Sequence, residues 1–191
     1  MPVKEDEHHV FFYGRDTIFS QFYPCRFIEN GQSFICAEQY MQYKKAKLFG
    51  DNQCGQLILA SESPIQHKRL GRRVKPFSER IWSNQAKSIV KRGSMHKFQQ
   101  NRTLKQRLLN TYPKQLVETS PYDRTWGIGL SIEDLKIHDP SRWRGSNILG
   151  QILAEVREEL YAENNQHKGD CSPEIPVDNN KVSKQINIIS I

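Results

Sequence analysis

Apolar residues recur at helical spacing most clearly late in the chain. There Ile148, Leu149, Ile152, Leu153, Val156 and Leu160 mark one face of a helix running from a cap at Ser146 or Asn147 to Leu160. Ala37–Phe49 has helix-forming composition, with Tyr40, Met41 and Leu48 near one face and Gly50 beyond its end. Two short helices are predicted at Gln53–Ala60 and Ile65–Leu70, the second closed by Gly71. Ser83–Arg92 carries Ala86, Ile89 and Val90 on one side and is predicted to stop at Gly93; a further helix spans His96–Asn110. Val10–Tyr13 and Leu116–Thr119 suit short strands. In Arg26–Cys36, Asn30-Gly31 sits between alternating apolar residues and predicts a hairpin, because both turn residues must take positive φ. The pattern describes a mainly α, compact single domain over residues 10–162 with a small β-hairpin near its start. Polar tails at 1–9 and 163–191 flank it, and composition leaves open whether the terminal INIISI adds a strand or packs on the body.

With 191 residues and 22.3 kDa, the chain is large enough for one domain with its own core. Its net charge of +7 is unevenly placed. Between Lys68 and Arg107 stand thirteen Lys and Arg against one acid, Glu79, so this segment is net +12 and the remainder mildly negative. Such a segment attracts a polyanion with steep salt dependence, unless it only supplies solvated helix faces. Cys25, Cys36, Cys54 and Cys171 form no CxxC pair and have no histidine at ligand spacing, which argues against a zinc site and a disulfide framework. No apolar run reaches bilayer length, and the charged start MPVKEDEHH is not a signal peptide. The expectation is a soluble, reduced intracellular protein, cytoplasmic or nuclear, with neither metal nor cofactor.

The stretch PYDRTWGIG, residues 121–129, sets Asp123 three residues before Trp126 in a glycine-flanked turn. That arrangement serves an acid beside an aromatic platform, and equally a Trp-anchored turn with a capping Asp. Glu38 and Lys45 lie two turns apart on one predicted helix. Facing inward they would perturb each other's titration and yield a nucleophilic amine; on residue type alone, two outward solvated side chains are the ordinary outcome. Glu118 lies five residues before Asp123, a spacing that lets two carboxylates divide acid and base duties. Trp82, Trp126, Trp143, Phe22 and Tyr23 offer flat surfaces for a base, or simply core. Arg72, beside Gly71, offers a fork for phosphate. Walker, GxGxxG and GxSxG motifs are missing, which removes the usual markers of nucleotide hydrolysis, dinucleotide redox chemistry and serine hydrolysis.

The ordered motifs FYGRDTIFSQFYP, AEQYMQYKKA, LGRRVKPF…IW, KFQQN, LVETSPYDRTWGIG and WRGSNILGQILAEVREEL run across nearly the whole body. In this set the chain resembles the NADAR family, also called YbiA-like or RibX-like. The resemblance implies a compact, mostly helical fold and N-glycosidase activity. Some members act on early riboflavin-pathway intermediates; others remove ADP-ribose from guanine in nucleic acid. By position, it implies catalytic roles for Lys45, Asp123, Glu118 and Glu38, with Asp123 or Glu118 as acid/base and Lys45 as Schiff-base nucleophile. It implies substrate contacts from Gly14, Arg15, Ser20, Phe22, Gly71, Arg72, Trp82, Lys97, Trp126, Gly127 and Asn147, with Arg72 and Lys97 on phosphate. Gln21 departs from the family's usual FSNF by one methylene. The first expectation is an ADP-ribosyl-guanine hydrolase acting on DNA or RNA, favoured by the basic segment. Hydrolysis of riboflavin intermediates is the second, and a non-catalytic ADP-ribose or nucleic-acid binder the third.

Overall fold

The computed structural model describes residues 3–169. In chain order the elements are β1 (Val3–Glu5), β2 (His9–Phe12), β3 (Phe27–Glu29), β4 (Gln32–Phe34), α1 (Ala37–Leu48), α2 (Asn52–Ala60), α3 (Pro64–Gly71), α4 (Glu79–Gln99), α5 (Arg102–Leu109), β5 (Gln115–Glu118) and α6 (Ile148–Gly169). A long loop with two short 3₁₀ turns joins β5 to α6. The fold is mainly α, as the periodicity predicts, and among the described residues no helix is long and apolar enough to cross a membrane.

Strand β2 is the centre of a three-stranded sheet, antiparallel to β1 and parallel to β5. All four of its residues are buried because both sheet faces are covered. Val10, Phe12 and Leu116 join the main core with residues of α4, α5 and α6. Phe11 and Val117 point the other way, onto Ile128, Leu130, Ile132 and Ile137 of the long loop. Each strand is legible as a short apolar run. Their parallel pairing spans the whole of α1–α5, and no local pattern reports it. Residues 1–9, expected as a polar tail, instead contain edge strand β1, tied by Lys114 Nζ to Glu5 Oε2 at 3.0 Å. An edge strand with one wet side tolerates polar residues.

The predicted hairpin is β3–β4, with Asn30 at φ 49° and Gly31 at φ 78°. Buried Glu29 accepts from Tyr40 Oη at 2.7 Å and pairs with Lys44, fastening the hairpin to α1. Helix α4 does not stop at Gly93. A Cβ there would lie 2.5 Å from Tyr40 Cδ1, so the glycine serves a close crossing of α4 over α1 rather than a helix end. Helix α6 also runs past residue 163, where polar composition suggested a tail. Cys171 and the terminal INIISI lie outside the described residues.

Candidate active site

Helix α1 begins at Cys36, whose Sγ accepts from Gln39 N at 3.4 Å. Glu38, Met41, Gln42 and Lys45 then fall at i, i+3, i+4 and i+7 and line one side of a cavity of about 200 Å³. Glu38 and Lys45 therefore face inward, against the ordinary expectation for their residue types. Ser20, Gln21 and Phe22 form the rim beside them, with Glu38 N donating to Gln21 O at 2.9 Å. Trp82 and Val90 of α4, Lys68 of α3 and Leu149 of α6 complete the walls.

The opposite wall comes from the end of β5 and the loop after it. Glu118 closes β5, and Asn147 fixes its backbone: Glu118 N donates to Asn147 Oδ1 at 3.0 Å, and Asn147 Nδ2 donates to Leu116 O at 2.9 Å. Asp123 Oδ1 accepts from Trp126 N at 2.7 Å and Thr125 N at 2.9 Å. The turn-anchoring role is thus real, and the same residue also lines the cavity with Glu118 and Trp126. The loop is zipped to the start of α6, whose first N–H groups at Ile148 and Leu149 donate to Thr125 O and Trp126 O. Gly127 permits this layering, since a Cβ there would lie 2.8 Å from Glu118 O.

Burial pushes the Glu38 carboxyl up to about 7 and the Glu118 carboxyl up to about 8. The Asp123 charge raises both further, while Lys68 opposes the shift at both sites and Arg72 opposes it at Glu38. Gln42 Nε2 donates to Glu38 Oε1 at 2.9 Å, whereas buried Glu118 Oε2 has no hydrogen-bond partner among the described residues. Lys45 Nζ lies 4.3 Å from the Phe77 ring centroid and 5.2 Å from that of Trp82. Burial lowers its pKa, partly offset by Glu79. A carboxylic acid that keeps its proton at neutral pH thus shares a cavity with further carboxyl groups and an amine of weakened basicity. Those are the parts of acid, base and nucleophile. Among the described residues, no group of three His, Cys, Asp or Glu side chains is placed to hold a metal ion.

Lys45, Glu38, Glu118, Asp123, Ser20, Phe22, Trp82 and Trp126 all meet at this cavity. Gly14 and Arg15 do not: Gly14 sits in a turn at φ 83°, and Arg15 is 77% exposed beside Asp16. Lys97 is fully buried behind the rim, where its Nζ donates to Ser20 O at 2.7 Å and burial lowers its pKa to about 8. It props the Ser20–Phe22 segment and does not itself line the cavity. Gly71 makes room for Gln42, and Gly127 and Asn147 hold backbone; none of the three lines the cavity. Arg72 lines an adjoining groove with Lys75 and Phe77. Sequence reasoning missed Met41, Gln42, Lys68 and Phe77. The first two were recoverable by extending the Glu38 face by one turn; Lys68 and Phe77 carry no local signal.

Residues 11–161 match the family model described as the NADAR domain. The chain is 41% identical over 166 residues to N-glycosidase R617 of Acanthamoeba polyphaga mimivirus, a match covering 81% of this chain and 98% of that protein. It is 31% identical over 157 residues to riboflavin biosynthesis protein VVA0006 of Vibrio vulnificus strain YJ016, covering 81% of this chain but 39% of that protein. Among solved structures, the NMR structure of the E. coli protein YbiA superposes with a TM-score of 0.70 at 28% identity, covering 87% and 93% of the two chains. The chain belongs to the NADAR domain family and is an N-glycosidase, a hydrolase of N-glycosidic bonds.

Proposed function

We propose that the bond cleaved is the one between ADP-ribose and guanine in ADP-ribosylated DNA or RNA, with Lys45 as nucleophile and Glu118 as acid. One observation carries the reading: an amine and three carboxyl groups line a single small cavity, two of the carboxyls holding their protons near neutral pH. Lys45 Nζ, as the free amine, attacks C1 of the ribose. The C1–N bond breaks and guanine leaves with the Glu118 proton. The resulting glycosylamine opens to an imine on Lys45 as the ring oxygen takes up a proton. Water adds at C1, the C1–Nζ bond breaks, and the amine and the Glu118 acid are restored with one water consumed.

Support for a nucleic-acid substrate comes from surface charge. Lys68, Arg69, Arg72, Arg73 and Lys75 are all exposed at the end of α3 and in the turn after it, close to the cavity. Lys91, by contrast, is engaged by Glu155 at 2.7 Å and Glu159 at 2.8 Å. A second reading, hydrolysis of early riboflavin-pathway intermediates, is favoured by the likeness to a riboflavin biosynthesis protein. Parallel assays on an ADP-ribosylated guanine oligonucleotide and on those intermediates, at several salt concentrations, separate the two. Release of ADP-ribose that slows steeply with salt supports the first. Turnover of the small intermediates alone establishes the second in its place.

A further inference from the structure

Two cavities of opposite chemical character meet at Lys45 and Trp82, the residues that line both. The first, of about 200 Å³, is walled by Glu38, Glu118 and Asp123, with Lys68 as its other cation. The second is an open groove of about 880 Å³, where Arg72, Lys75 and Lys45 outnumber the single acid Glu79.

We propose that the substrate straddles Lys45, its departing base in the carboxyl-lined cavity and its phosphate-bearing part in the groove beside Arg72 and Lys75. This rests on reading the substrate as a phosphorylated N-glycoside. Size is the first argument: roughly 150 Å³ holds one benzene-sized ring, so the smaller cavity suits a base and is too small for a nucleoside diphosphate. Charge is the second. Arg72 and Lys75 draw a phosphate into the groove, whereas the cavity sets three carboxyl groups against Lys68, and the ring N–H and exocyclic amine of a guanine-type base match acceptors such as the unpartnered Glu118 Oε2. The third is construction of the groove. Lys75 N donates to Asp51 Oδ2 at 3.0 Å, which fixes the turn that presents the Lys75 side chain. The Phe77 ring is held edge-on against Phe49 at 5.2 Å, leaving a flat wall for a second ring. Lys45 at the boundary is where C1 must lie, since C1 joins the base to the rest.

The test is direct binding to the full chain, followed through the tryptophan indole NMR signals, with inorganic pyrophosphate and 9-methylguanine as separate probes. Both are expected to bind, and to bind together. Replacing both cations, Arg72→Gln with Lys75→Gln, is expected to weaken pyrophosphate by roughly tenfold or more, the loss of charge-assisted contacts, and to leave 9-methylguanine unchanged. Glu118→Gln with Asp123→Asn is expected to do the reverse. Pyrophosphate that fails to bind, ignores the loss of Arg72 and Lys75, or is displaced by 9-methylguanine overturns the arrangement. A chain that binds both probes together yet cleaves no ADP-ribosyl-guanine refutes the substrate reading and leaves the two-compartment arrangement standing.

Discussion

Gln42 Oε1 occupies the space that a Cβ on residue 71 would need, only 1.7 Å from its position, while Nε2 of the same amide donates to Glu38 Oε1 at 2.9 Å. Helix α3 thus reaches α1 because residue 71 has no side chain, and the approach seats the amide that steadies a cavity carboxyl. Gly71→Ala is expected to expel Gln42, costing about 1–3 kcal/mol as overpacking and lowering kcat through Glu38. Adding Gln42→Ala to that variant is expected to recover the melting temperature without the activity. A Gly71→Ala protein with unchanged stability and rate would show that the amide has another place to go.

The buried carboxyls impose a definite pH dependence. Glu38 and Glu118 bind their protons more tightly in the folded state, near 7 and 8, than at the ordinary 4.5. Their contribution is therefore full below pH 4.5 and is lost as pH rises through the folded values. Glu118→Gln removes a group that is costly to ionise, so its melting temperature is expected to exceed that of the parent at pH 8.5. The gain, roughly 4 kcal/mol for a value raised from 4.5 to about 8, should vanish near pH 4.5. Melts across that range check it, and a variant less stable at pH 8.5 contradicts it. Because the acid must hold its proton, the parent's kcat is expected to fall above about pH 8, a limb that Glu118→Gln should lack.

Asn147, at φ 50°, satisfies two backbone groups of β5 with one side chain. Asn147→Gly keeps the backbone free to adopt that φ but leaves Glu118 N and Leu116 O unpaired, at a cost of about 2–4 kcal/mol. Asn147→Ala adds left-handed strain and should melt lower still. Both are expected to lower kcat by letting Glu118 drift, with KM for the phosphate-bearing part little changed. If Asn147→Gly melts with the parent, the bridge contributes nothing.

The local elements were legible because each rests on neighbours in sequence. The α6 stripe, the Asn30-Gly31 turn and the α1 face needed only period and turn chemistry. What escaped depends on distant contacts. Gly71 closes α3 as its position suggests, whereas Gly93 reads as a helix end and lies inside α4; the space each leaves for Gln42 and Tyr40 has no local signal, because those residues lie on another helix. Lys97 read as a phosphate ligand because a lysine beside a motif is normally wet; its burial under Ser20 is a property of the packed loop. In the site itself, the resemblance named the four ionisable residues, and the period of α1 placed Glu38 and Lys45 on one face. Lys68 and Phe77 become neighbours of Lys45 or the carboxyls only when α3 and the turn after it fold back over α1.

Borohydride added during turnover is expected to reduce an imine on Lys45, leaving a ribose-derived adduct on that residue by mass spectrometry, and Lys45→Ala should give neither adduct nor product. Phe77→Ala offers a graded test, since the ring lies 4.3 Å from Nζ and helps keep water from it. Hydrating the amine returns its pKa toward the ordinary value, so less free base exists at neutral pH. Adduct yield and rate should fall at pH 7, by roughly tenfold for each pKa unit regained, and the deficit should shrink as pH rises. An active Lys45→Ala enzyme would exclude the imine and leave Glu118 and Asp123 to activate water directly.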